Sequence, residues 1–145
     1  MSLDGAYDDQ NIFAKVVRGE APAAKVFEDG EVLAFMDLFP QSRGHTLVIS
    51  KTSTARNLLD VSPEDLCVLM QRVQRVAKGV RAALNPDGII VTQFNGAPAG
   101  QTVFHLHVHI IPRWEHTPMA GHAGARMADT VELAALAKQI AANIV

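Results

Sequence analysis

Phe104-His105-Leu106-His107-Val108-His109-Ile110-Ile111 alternates imidazole and aliphatic side chains along an unbroken run. Successive side chains of a β-strand point to opposite faces. A strand here puts His105, His107 and His109 on one face, each about 7 Å from the next, and Leu106, Val108 and Ile110 on the other. The aliphatic face belongs against a core. Three imidazoles on an exposed sheet face bury little and repel when protonated, so a function explains them better than packing. Two chemistries use histidines this way. Imidazole ligates zinc, and His45 can supply a fourth ligand. Alternatively, one imidazole attacks phosphorus while its neighbours tune it. The strand alone leaves both open, together with a reading in which the histidines only line a polar face.

The preceding loop, Asn95-Gly96-Ala97-Pro98-Ala99-Gly100-Gln101-Thr102, contains no acid and no cysteine. Backbone N–H groups near Gly96 and Gly100, the Gln101 amide and the Thr102 hydroxyl suit phosphate oxygens and are poor metal ligands. The loop moves the reading toward an anion.

Further out, Asn11 to Arg18 reads as a short helix with Ile12, Phe13, Val16 and Val17 on its apolar face. Lys25 to Glu28 and Glu31 to Leu38 read as strands. Asp29-Gly30 between them predicts a hairpin turn with positive φ at both positions. Thr46 to Ser50 is a third strand, entered through Gly44 and His45. Ser62-Pro63-Glu64-Asp65 starts a helix: Ser62 can cap, Pro63 fits the first turn, and the acids suit the positive dipole end. Leu66, Leu69, Met70, Val73, Val76, Val80 and Leu84 recur at helical spacing until Asn85-Pro86-Asp87-Gly88. Ile89 to Phe94 and Val103 to Ile111 are the last strands. Thr130 to Ile144 is a closing helix with Val131, Leu133, Leu136, Ile140 and Ile144 as its apolar set. The pattern predicts an α+β fold: a five-stranded antiparallel sheet, one face covered, with a long helix and terminal helices.

The chain's 145 residues suit one domain, 48% apolar and 19% charged. Residues 1–10 are expected to be disordered, and 114–145 form a variable C-terminal segment. His116 and His122 there receive no role. A net charge of −2 argues against a nucleic-acid polymer as partner. No apolar run approaches the roughly 18 residues of a membrane span. The single cysteine, Cys67, excludes an internal disulfide and reads as a buried, inert thiol; a reducing, cytoplasmic setting is expected. The long apolar helix and an exposed sheet edge suggest a homodimer.

The pattern at 105–111, His-Leu-His-Val-His-Ile-Ile, resembles the histidine triad (HIT) family, His-φ-His-φ-His-φ-φ with φ apolar. Three further stretches resemble its bacterial Hint-like nucleoside phosphoramidase branch. They are residues 12–17 (Ile-Phe-Ala-Lys-Val-Val), 34–41 (Ala-Phe-Met-Asp-Leu-Phe-Pro-Gln) and 44–51 (Gly-His-Thr-Leu-Val-Ile-Ser-Lys). With Asn95 and Gly100-Gln101-Thr102, the likeness spans about residues 11–113.

The resemblance implies a hydrolase acting on purine nucleotide conjugates, such as an AMP conjugate, through a nucleotidyl-histidine intermediate. His107 would attack the α-phosphorus, with a neutral ring whose other nitrogen donates to a backbone carbonyl. His109 and the loop would hold the phosphate oxygens. His105, with His45 behind it, would orient the site, and Asn95 would support the strand. Asp37 would bind the ribose hydroxyls; Phe13, Val16, Phe35 and Leu38 would line the base pocket. No cofactor is implied. Some bacterial relatives bind structural zinc through a Cys-x-x-Cys pair; Asn11 and Ala14 stand there, so no structural zinc is expected. Nucleotidyltransferases of the family tend to carry glutamine at the third triad position, so His109 favours hydrolysis. Thr102 replaces a usual serine and keeps the hydroxyl. Competing readings are dinucleoside polyphosphate hydrolysis and a zinc- or nucleotide-binding module with little turnover.

Overall fold

The computed structural model describes residues 2–121 and 126–145; His122 lies outside them. The elements run α1 (Ile12–Val17), β1 (Lys25–Glu28), β2 (Val32–Met36), β3 (Thr46–Ser50), α2 (Pro63–Leu84), β4 (Gly88–Thr92), β5 (His107–Arg113) and α3 (Thr130–Ala141). A 3₁₀ turn, Ala97–Ala99, precedes β5. All strand pairs are antiparallel in a five-stranded sheet, as the sequence pattern predicts; the order is β1-β2-β3-β5-β4, with β5 inserted between β3 and β4.

Local chemistry sets the element ends. Ser62 Oγ accepts from Asp65 N at 3.1 Å and Pro63 opens α2. Asn85 ends that helix in the left-handed region, φ 48°. Asp129 caps α3 and Asn11 caps α1, each accepting from two backbone N–H groups.

The register explains the two faces. Ile49 pairs with His107 and Leu47 with His109, and β2 continues these rows with Leu33 and Phe35. Partners directly across a ladder share a face. The other face carries Ala34, Val48, Val108 and Ile110, and packs on Leu69, Val73, Val76 and Val80 of α2 and Leu133, Ala137 and Ile140 of α3. The histidine-bearing face is also covered: Phe13 and Val16 of α1 close over Leu33, Phe35, Leu47 and Ile49. The single covered face expected from sequence is therefore corrected to two, because the short α1 stripe has its own apolar patch to fill.

Other expectations change. The chain bends at residues 103–105, so β5 begins at His107 rather than Val103, and His105 lies just before the ladder. Gly30 takes no positive φ. Instead Asp29 Oδ1 accepts from Glu31 N and Val32 N, both at 2.8 Å, and its Oδ2 meets Arg72 Nε of α2 at 2.7 Å. Burial raises the Asp29 pKa; Arg72 and those two backbone donors outweigh it and hold the carboxylate below its usual range. Cys67 is exposed, not buried. It stands two residues from Leu69, about 200° round the helix, on the side away from the core. The closing helix stops at Ala141, and Val131 is 77% exposed.

The N-terminal segment, expected to be disordered, is held over residues 2–7 by side-chain contacts. Asn57 Nδ2 donates to Leu3 O at 3.1 Å, Ala97 N donates to Ser2 Oγ at 3.1 Å, and Tyr7 reaches His105. The C-terminal segment returns to the loop after β2, where Ala120 N donates to Gln41 O and Ala128 N to Leu38 O. Among the described residues no helix is long and apolar enough to cross a membrane.

Candidate active site

The histidines of the signature are buried, with His105, His107 and His109 at 3%, 6% and 2% exposure. Their hydrogen bonds assign the protons. His107 Nδ1 lies 2.7 Å from its neighbour's carbonyl, His105 O. A carbonyl only accepts, so Nδ1 carries the proton and a neutral ring keeps its lone pair on Nε2. Phe13 stands edge-on to this ring, centroids 4.9 Å apart, and fixes its plane.

His109 is governed by His45. Gln41 N donates to His45 Nδ1 at 3.0 Å, which leaves the proton of a neutral His45 on Nε2. That Nε2–H lies 2.9 Å from His109 Nδ1 and 3.4 Å from Asp37 Oδ2. When His45 donates to His109, the His109 proton sits on Nε2. The backbone of the 37–45 loop thus sets the tautomers of two rings in series. His45 stands behind His109, not behind His105 as the family resemblance implies. The register explains this: Leu47 is opposite His109, and His45 lies two residues before Leu47.

Asp37, His45 and His109 bring three ligand-type atoms within 4.8 Å. Their donor chemistry is that of a hydrogen-bonded chain. His45 presents an N–H to the other two, and turning a lone pair on a cation would ionise the ring or break the Gln41 bond.

His105 is clamped at both nitrogens. Nε2 donates to Ser50 O at 3.0 Å, so Nδ1 accepts from the Tyr7 hydroxyl at 2.7 Å. Burial pushes its pKa below 6.5, against the smaller raising effect of the Ser50 carbonyl.

The loop residues divide by role. Gln101 is buried; its Oε1 accepts from Gly96 N at 2.8 Å, and its Nε2 donates to Arg56 O at 2.7 Å and Val103 O at 3.0 Å. Expected to face phosphate, this amide instead spends both its hydrogens on holding the loop closed. Asn95 Oδ1 accepts from Leu58 N and Gln93 Nε2, both at 2.9 Å, which ties the loop to the 57–60 turn. Gly100 takes φ 108° at the end of the 3₁₀ turn. Thr102 is exposed, on a cleft of about 350 Å³ shared with Asn11, Ile12, Arg56 and Phe104.

Of the residues predicted to hold a nucleoside, Phe13, Val16 and Phe35 lie together in the cluster beside His107, while Leu38 is exposed and outside that cluster. Asp37 Oδ1 accepts from Phe39 N at 2.8 Å and its carboxylate flanks His45. Tyr7 and the Gln41 N–H join the site without being among the residues expected from sequence. Tyr7 is the chain's only tyrosine, a lone aromatic in a polar segment, and that isolation was the one available signal. The Gln41 N–H is a backbone group and left no signal.

A buried imidazole site on the middle strands of an antiparallel α+β sheet, with each ring's proton assigned by a neighbour, is the architecture of the histidine triad class. Residues 18–116 match the HIT domain family, and the chain belongs to it. A HIT-like protein from Bartonella henselae, described as involved in cell-cycle regulation and solved with an unknown ligand, superposes with a TM-score of 0.87. It is 48% identical and the match covers 95% of this chain and 99% of that one. Protein hit of Bacillus subtilis is 43% identical over 103 residues, 71% of this chain and 70% of its own length. Adenylylsulfatase HINT3 of Arabidopsis thaliana is 36% identical over 104 residues, 72% of this chain and 52% of its own, longer length.

Proposed function

We propose that this protein hydrolyses purine nucleotide conjugates, nucleoside phosphoramidates first among them, by nucleotidyl transfer to His107. The observation that carries the reading is the Nδ1–H bond from His107 to His105 O, which leaves the lone pair on Nε2 for attack. Family membership and the relative named as an adenylylsulfatase support a nucleotide substrate cleaved by water.

In the first step, Nε2 of His107 forms a bond to the α-phosphorus, and the bond to the leaving group breaks with its electron pair. His109 Nε2–H donates to the charge that gathers on the phosphate oxygens, and the departing amine takes up a proton from water. In the second step, water attacks phosphorus and gives up a proton to solvent, and the bond to His107 Nε2 breaks with its electron pair, releasing the nucleoside monophosphate. Holding the nucleophile in place removes the entropic cost of a loose encounter. Asp37 accepts from the ribose hydroxyls, and Phe13, Val16, Phe35 and Leu38 receive the base. Backbone groups at Gly100 and the Thr102 hydroxyl face the phosphate, with Asn95 and Gln101 holding their loop. The reaction as proposed uses no cofactor. No structural zinc is assigned, because Asn11 caps α1 and Ala14 offers no ligand atom.

The proposed assembly is a homodimer through the β4 edge, where Ile90 and Val91 are 37% and 46% exposed. Light scattering at micromolar concentration should give twice the chain mass; a monomer would contradict it. The exposed Cys67 thiol fits a reducing compartment, and the cytoplasm is the proposed location.

Turnover of a fluorogenic adenosine phosphoramidate tests the function. The His107→Ala variant should lose at least about 10³-fold in kcat/KM. Normal turnover by that variant would sink the proposal. Rates on a dinucleoside polyphosphate, measured beside it, decide between the two substrate classes.

A further inference from the structure

We propose that Tyr7 is a positioning residue for His107, acting through His105; this rests on the nucleophilic role proposed above. The N-terminal segment crosses the histidine-bearing side of the molecule, and its half-buried Tyr7 hydroxyl meets His105 Nδ1 at 2.7 Å. The direction of that bond is set from the far side of the ring. Ser50 O can only accept, so His105 Nε2 holds the proton and Nδ1 takes one from Tyr7. The tyrosine ring also lies against the imidazole, centroids 5.8 Å apart.

His105 thereby becomes a rigid strut. It precedes the first ladder residue of β5, at a bend in the chain, so strand pairing does not hold it as it holds His109. Its ring is held at two points, by Ser50 O and by Tyr7. Its backbone carbonyl is the group that accepts from His107 Nδ1 at 2.7 Å. Phe13 completes the arrangement, edge-on to His105 at 6.4 Å and to His107 at 4.9 Å. Removing the Tyr7 hydroxyl leaves a buried nitrogen without its donor and lets residue 105 rock about its remaining anchors, Ser50 O on the ring and Ala55 O on the Leu106 N–H of the next peptide. The carbonyl then turns away from His107, and the proton on that ring is no longer confined to Nδ1. Each molecule in the other tautomer presents an N–H, not a lone pair, to phosphorus.

The effect reaches the chemical step and not the nucleotide pocket. A phenylalanine at position 7 keeps the ring and its packing and deletes only the bond. Loss of one buried hydrogen bond corresponds to about tenfold in the population it fixes. Tyr7→Phe should therefore lower kcat about tenfold on a fluorogenic adenosine phosphoramidate while KM stays within about twofold.

The deciding readout is independent of turnover. Long-range ¹H–¹⁵N imidazole spectra of the full chain, wild type and Tyr7→Phe, report each histidine's tautomer. The wild type should show His107 as the Nδ1–H form, and the variant a mixture of forms. An unchanged His107 tautomer in Tyr7→Phe overturns the proposal, whatever kcat does. If the wild type cleaves no nucleotide conjugate, the proposed function fails while the spectra still decide the role of Tyr7. Should Tyr7→Phe not fold, 3-fluorotyrosine incorporation labels this position alone, since the chain has one tyrosine. The more acidic hydroxyl should shift the His105 Nδ1 resonance and, through it, the His107 Nδ1 proton. A spectrum identical to that of the unlabelled protein overturns the proposal.

Discussion

His45 is fully buried, and its imidazole joins Gln41 N at 3.0 Å to His109 Nδ1 at 2.9 Å. Replacing it with alanine removes the donor that keeps the His109 proton on Nε2. It also opens a cavity and strands the Gln41 N–H, so stability should fall by about 2–5 kcal/mol. The catalytic loss is separate. A buried bond of this kind is worth about 1–3 kcal/mol, and at 1.4 kcal/mol per tenfold its absence should cost roughly 5- to 150-fold in kcat. His45→Gln is the control. Its terminal amide nitrogen can occupy the place of Nε2 and donate to His109, while the contact with Gln41 N is lost. The glutamine variant should therefore stay within about fivefold of wild type in kcat while sharing part of the stability loss. Single-turnover release of nucleoside monophosphate, well below each variant's melting temperature, measures the step. Two results would refute the reasoning: wild-type kcat in His45→Ala, or equal damage in the alanine and glutamine variants.

Gly44 carries φ 89°, and a Cβ there would overlap Leu84 Cδ1 and meet Pro112 Cγ at 3.1 Å. Gly44→Ala should cost about 1–3 kcal/mol, read by urea denaturation, through backbone strain and displacement of the Leu84 side chain. Gln101→Ala should destabilise by about 1–3 kcal/mol, and Gln101→Glu by more, because an anion would face the carbonyls of Arg56 and Val103. Equal stability of the two variants would show that the amide is not the loop's latch. Burial holds the folded pKa of His105 below 6.5. Above pH 6.5 both folded and unfolded states are neutral at this ring and its contribution is complete. Below it the unfolded chain binds a proton that the folded one does not, so stability should fall by up to about 1.4 kcal/mol per pH unit until the folded pKa is passed. A His105→Asn variant whose stability is equally pH-dependent over that window would contradict this assignment.

The parts of the fold legible in the sequence are those set by local pattern. The strands at Lys25–Glu28 and Thr46–Ser50 and the helix from Ser62 to Leu84 are readable from alternation, capping and helical spacing, and the structure places them there. The alternation at 105–111 marks the histidines, and their burial on the sheet follows from the Leu47 and Ile49 register. What is not legible depends on contacts distant in sequence. The Asp29 turn is governed by Arg72, 43 positions away, as well as by its own backbone. Gln101 has the composition of a phosphate donor, but Arg56 O, 45 positions away, claims its amide. His45 could lie behind either outer histidine until strand register settled it. The lone tyrosine of the polar N-terminal segment is a local signal, and it does not tell that Tyr7 reaches across 98 positions to His105.

The central claim is that the Nε2 atom of His107 forms a bond to phosphorus. Rapid base-quench of the enzyme during turnover of an adenosine phosphoramidate, which preserves the acid-labile phosphorus–nitrogen bond, followed by peptide mapping of residues 105–113 at alkaline pH, tests it directly. The expected result is a nucleoside monophosphate adduct on His107, formed within the first turnover and absent from His107→Ala. An adduct on His105 or His109, or full turnover without any adduct and with inversion at phosphorus, would contradict the account.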